Sequence, residues 1–167
     1  MRVVEGVLEV GGDEFPEVGA VVDRLDAVGE AHDATVQAFD ARYVVSRRHL
    51  ELAVELADRE RARGEAIARD RGVEILLYAA GRRQIDRALE MGVGEGETPA
   101  VVVVDGGDEA AAAGAVAGAV TPAETLGEYG EATVRAFFDV GDAELSATDR
   151  GLEALVLERV ALLVVTR

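Results

Sequence analysis

Two short segments carry the residue types that could do chemistry. The first is Val44-Val45-Ser46-Arg47-Arg48-His49-Leu50. Ser46 suits a helix N-cap, because its hydroxyl can accept from an unpaired backbone N–H of the following turn. Two guanidinium groups and an imidazole then fall in that first turn, where free N–H groups already favour an anion. The second is Glu74-Ile75-Leu76-Leu77-Tyr78-Ala79-Ala80-Gly81-Arg82-Arg83-Gln84-Ile85. Guanidinium forks bond phosphate or stack on a base, and a glutamine can read a base edge. Tyr78 could add a stacking face. The plain alternatives are core packing for Tyr78 and a capping or core contact for His49. Binding of an anion such as phosphate, or of a base, is the chemistry these residues suggest.

Other chemistry finds little support. No phosphate-loop motif occurs, and with no Lys in the chain its cationic residue is missing. Gly92, Gly94 and Gly96 follow an expected helix, whereas a dinucleotide fingerprint follows a strand. They read as a turn. Cys is absent and only His32 and His49 supply imidazole, which excludes thiolate and histidine-rich metal sites. Ser46, His49 and an Asp could be assembled into a triad on paper, but no nucleophile elbow accompanies them. The expectation is a non-enzyme with no catalytic residue, no metal and no cofactor.

Charge singles out the same stretch. The 167 residues carry 33 acids against 17 basic residues, all Arg, for a net charge of −16. Such self-repulsion is tolerable in molar salt, where the Debye length falls to about 3 Å. Acid excess without Lys suggests a haloarchaeal cytoplasm. Residues 42–87 oppose this trend, with eleven Arg against eight acids. Arg59, Arg61, Arg63, Arg69 and Arg71 sit among Glu60, Glu65 and Asp70 and could simply pair with them. Arg47, Arg48, Arg82 and Arg83 have fewer acidic neighbours and are the better candidates to meet an anionic ligand.

The elements that must position these residues follow from periodicity and punctuation. Strands are expected at Val3–Val10, Ala34–Phe39, Val73–Ala80 and Ala100–Val104, the last two buried on both faces. Helices are expected from Phe15 to about Gly29, from Ser46 to Arg63 with Gly64 as stop, around Glu65–Arg71, and from Arg82 to Met91. Residues 106–120 suggest a weak Ala/Gly helix, Tyr129–Phe138 another, and Asp149 to about Leu163 the clearest of all. No apolar run approaches the roughly 18 residues of a membrane span, and no basic-then-apolar leader is visible. The expected architecture is one mixed α/β (α+β) domain over residues 1–167, a small central sheet of about four strands surrounded by helices.

The last helix is apolar nearly all round. Leu152, Leu155, Val156, Val160 and Leu163 form a stripe suited to the core, while Ala154, Leu157, Ala161 and Val164 form a second. Such a helix is either fully buried or shared with a partner. Leu157, Ala161 and Val164 are the candidate partner-facing residues.

The pattern QAFDA, then SRRHLELAVELA, EILLYAAGRRQIDRAL and finally LVLERVALL resembles the KEOPS accessory subunits of the PRPK-binding protein family. The match runs from about Val36 to Val104 and resumes at the C-terminal helix, with EILLYAAGRRQI its most specific block. The resemblance implies a non-catalytic, cytoplasmic archaeal subunit with a mixed α/β fold. It further implies binding and stimulation of the small KEOPS kinase/ATPase, and through it an indirect link to the rest of the complex that modifies tRNA with threonylcarbamoyl. Recruitment of tRNA by its single-stranded CCA end is implied as well. The expected tRNA contacts are Arg47, Arg48, His49, Tyr78, Arg82, Arg83 and Gln84. Two other readings stay open: a nucleotide-binding sensor or small-molecule enzyme using the Arg pairs, and a protein-interaction module without RNA contact.

Overall fold

The computed structural model describes residues 1–165. Strands β1 (Arg2–Val10), β2 (Thr35–Asp40), β3 (Gly96–Asp105) and β4 (Thr121–Pro122) form one antiparallel sheet in the order β2-β3-β1-β4. The helices are α1 (Val18–His32), α2 (Arg47–Ala62), α3 (Arg71–Ala80), α4 (Ile85–Ala88), α5 (Glu109–Ala117), α6 (Glu131–Phe137), α7 (Asp142–Ala147) and α8 (Gly151–Leu162). The fold is therefore mixed α/β with a four-stranded sheet. No helix among the described residues is long and apolar enough to cross a membrane.

The chain forms two compact units, residues 1–41 with 92–126 and residues 42–91 with 127–167. The first holds the sheet. Alternation places Val36 and Ala38 of β2, Ala100, Val102 and Val104 of β3, and Leu8 and Val10 of β1 in one core with Leu25 and Val28 of α1 and Ala112 and Val116 of α5. Val101 and Val103 are buried too, as expected for a strand apolar on both faces.

One turn in this unit has no room for a side chain. Gly107 has φ +57, and a Cβ there would stand 2.2 Å from the Asp33 carbonyl oxygen and 2.3 Å from that of His32. Both left-handed backbone and steric conflict oppose any other residue. Gly107→Ala is expected to destabilise the protein by about 2 kcal/mol or more, read as a lowered urea midpoint at unchanged slope.

The second unit is helical and contains the whole basic stretch. It carries fifteen Arg against seventeen acids, while the sheet unit has sixteen acids against only Arg2 and Arg24. Its centre is α2 against α3 and α8. Ser46 caps α2 as its type suggests, accepting from the His49 N–H at 3.2 Å. Beyond the end of α2, Gly64 adopts φ +75.

Several expected elements differ. Val73–Ala80 is not a strand but the body of α3. Asp70 accepts from the Val73 N–H at 2.9 Å and so caps the start. At the end, Gly81 with φ +61 lets its N–H reach the Tyr78 carbonyl and the Arg82 N–H reach that of Leu77, both at 3.1 Å. These are the paired bonds of a Schellman closure. An apolar run of this length does not distinguish a buried strand from a buried helix, and the caps decide. The fourth strand is instead the two-residue β4.

Glu65–Arg71 is not a helix either. Residues 65–70 form an irregular loop, because the buried Glu74 carboxylate takes the Ile67 and Ala68 N–H groups while Arg61 binds the Ala68 and Arg69 carbonyls. The expected Arg82–Met91 helix starts only at Ile85 and ends in a 3₁₀ turn over Leu89–Met91. Phe15 lies before α1, and α7 has no counterpart in the sequence reading.

Candidate functional site

The first turn of α2 presents two arginines that already have acidic partners. Arg47 meets Glu51 at 3.4 Å, and Arg48 meets Glu55 at 2.8 and 3.4 Å. All four side chains are about half exposed or nearly so, where such pairs are exchangeable and contribute about 0–1 kcal/mol. An anionic ligand would compete with Glu51 and Glu55 for these groups.

His49 points inward. It is fully buried, Nδ1 accepts from the Val45 N–H at 3.3 Å, and Nε2–H donates to the Ala79 carbonyl at 2.8 Å. Those partners require the neutral Nε2–H tautomer. Burial pushes its pKa down to about 4, with the Ala79 bond opposing the shift. Its ring also makes an edge contact with Phe138 at 5.7 Å. Both nitrogens are therefore committed to main chain, and His49 cannot serve as a base for Ser46. The Ser46 hydroxyl donates instead to Glu153 of α8 at 3.0 Å. Tyr78, 1 % exposed, offers no open face. Of the expected RNA contacts, these two rings lie in the core.

The Schellman turn sets the remaining three side chains. Arg82, immediately after Gly81, donates to the Phe137 carbonyl and lies over the Phe137 ring, 5.1 Å from its centroid. Arg83 is partly exposed, and its Nε is buried with no hydrogen-bond partner among the described residues. Gln84 is exposed at the start of α4. The two arginines thus differ: Arg82 is anchored to Phe137, whereas the Nε of Arg83 has no such anchor among the described residues.

In α8, Leu152, Leu155, Val156 and Val160 are buried, as is Leu163 just past its end. Leu157 is half-buried and Ala161 exposed, while Val164 lies half-buried in the turn beyond the helix end. Leu162 at 42 % and Val165 at 72 % exposure extend this outer apolar stripe. The stripe that sequence periodicity assigned to the core is the buried one, and the second stripe is the less buried of the two.

Sequence reading also missed the groove beside the turn, about 260 Å³, lined by Gly81, Arg82, Phe138, Arg159, Leu162 and Leu163. Ile85 and Leu89, 48 % and 57 % exposed, add an apolar face to the short α4 region. Only the i, i+4 spacing of that last pair was available as a signal. A partly exposed arginine, a groove and an outward apolar stripe thus lie on this one unit.

No curated protein matches the chain. The family model described as kinase binding protein CGI-121 matches residues 20–163. That span takes in α2, α3, α4, the groove and the whole of α8. The chain belongs to the CGI-121 family of kinase binding proteins.

Proposed function

We propose that this chain is a non-catalytic subunit of an archaeal KEOPS complex, working in a salt-loaded cytoplasm, that binds and stimulates the small kinase/ATPase and helps recruit tRNA by its CCA end. The kinase half is carried by the family match together with the outward stripe Leu157, Ala161 and Val164, now extended by Leu162. Exposed apolar side chains on a helix already anchored through its other face are a reason to expect a partner. Partner contact with the kinase then links the chain indirectly to the rest of the complex.

The RNA half rests on the basic stretch and on Arg83. Its donor capacity, the exposed Gln84 amide, and Arg47 and Arg48 supply charged and hydrogen-bonding groups for a single-stranded end. At high salt the counterion-release part of affinity fades, so directed bonds such as those of Arg83 carry more of it. His49 and Tyr78 would act here only as the packing beneath the turn.

Calorimetric titrations of the full chain test both halves at molar salt. Ala161→Glu, an exposed position, is expected to weaken kinase binding by about 30-fold or more, as for an interface centre. Arg83→Glu is expected to weaken binding of intact tRNA by about tenfold, with little effect on tRNA trimmed of CCA. Kinase binding unaffected by Ala161→Glu would remove α8 from the interface. Kinase binding with no RNA binding would leave a protein-interaction module, and turnover or tight binding of a free mononucleotide would favour a sensor or enzyme.

A further inference from the structure

The C-terminal end of α6 leaves carbonyls without helical partners, and two arginines from different elements take them. Arg82 bonds the Phe137 carbonyl from the turn after α3. Arg159 of α8 bonds the Phe138 carbonyl through Nε and the Asp139 carbonyl through Nη2, both at 3.1 Å. Glu144 of α7 holds the same Nη2 at 2.9 Å. The turn and α8 also meet directly, since a Cβ on Gly81 would stand 3.3 Å from the Arg159 carbonyl oxygen. Arg82 and Leu162 therefore line one groove, and consecutive carbonyls at 137–139 join the elements that carry them.

We propose that Arg159 is a positioning residue that couples the kinase-facing stripe of α8 to the Arg83–Gln84 turn, so that kinase and RNA end bind with positive cooperativity. The proposal rests on the function proposed above. Leu157 and Ala161 lie two residues either side of Arg159, so a partner covering the outer stripe steadies the backbone that carries it. Arg159 then fixes Phe138 and Asp139, Phe137 fixes Arg82, and Arg82 sets the direction of its neighbour Arg83. Arg83 is partly exposed, and its buried Nε has no partner among the described residues to fix its direction. Ordering the turn in advance removes part of the entropy cost of closing it on RNA. Reciprocity follows: RNA tightens the kinase by the same factor.

The test is a thermodynamic box using the full chain, the intact kinase and a single-stranded RNA oligonucleotide ending in CCA. The four dissociation constants are measured at molar salt, with RNA binding to the kinase alone measured in parallel. RNA is expected to bind the chain–kinase complex about five- to tenfold more tightly than the chain alone, and Arg83→Glu should abolish that gain. Arg159→Gln is expected to bring the coupling factor within about twofold of one. A residue needed only for folding would weaken each single affinity and leave that factor in place. Where Arg159→Gln lowers the melting temperature too far, Glu144→Gln releases one of its anchors and should reduce the factor part-way. Two intact binary complexes with a factor of one overturn the coupling and leave the proposed function standing. Failure of either binary complex in the wild-type chain overturns both. Unchanged coupling in both variants removes Arg159 from the role.

Discussion

Glu74→Ala is expected to be among the most damaging single substitutions in this protein, lowering stability by about 3 kcal/mol or more in urea unfolding. Glu74 is fully buried in the first turn of α3. Its carboxylate accepts from the Ile67 N–H at 3.0 and 3.1 Å and from the Ala68 N–H at 2.6 Å. Removing it leaves two backbone donors unsatisfied, takes negative charge from a helix N-terminus and opens a cavity. Glu74→Gln keeps one acceptor but turns an NH₂ group towards a donor, so it should cost less than Ala and more than a surface change. A loss below about 1 kcal/mol for Ala would mean that residues 65–70 do not depend on this carboxylate.

Acid should expose the second large effect. His49 has a folded-state pKa of about 4 because burial disfavours its charged form, against about 6.5 in an unfolded chain. Between those values the unfolded state binds more protons, so stability rises with pH. The contribution is complete above about pH 6.5 and is lost as pH falls towards 4, a change of about 3 kcal/mol. Carboxylates titrate nearby, so the comparison that isolates the ring is His49→Phe. That variant should be less stable than wild type at pH 8 by about 2 kcal/mol, since the Val45 N–H and Ala79 carbonyl lose their partner. The difference should shrink on acidification, because Phe carries no proton. Parallel pH profiles would show that His49 does not remain neutral in the folded protein.

The candidate site was legible in part. Ser46 as the cap of α2 follows from residue type alone, because a short hydroxyl before a helical stripe has one good use. The two apolar stripes of α8 are equally plain from spacing. What spacing cannot carry is the difference between Arg82 and Arg83, which are adjacent and identical in type. Phe137, far away in sequence, supplies the carbonyl and ring that occupy Arg82 and leave Arg83 with donor capacity. Likewise His49 and Tyr78 each had a ligand reading and a core reading in sequence, and packing places both in the core.

The amino-acid sequence by itself determined β1, β2, β3, α2 and α8 to within a few residues, the acid-rich composition, and the basic stretch at 42–87. These depend on local periodicity, capping chemistry and charge. Hydrophobic periodicity left the state of Val73–Ala80 undecided. Its continuous apolar run lacks the alternation that would separate strand from helix, and Asp70, Gly81 and full burial resolve it as α3. Tertiary structure alone decided that the Glu74 carboxylate would hold residues 65–70 as a loop. Long-range contacts selected which arginines are held, because the competing partners lie tens of residues apart in the chain.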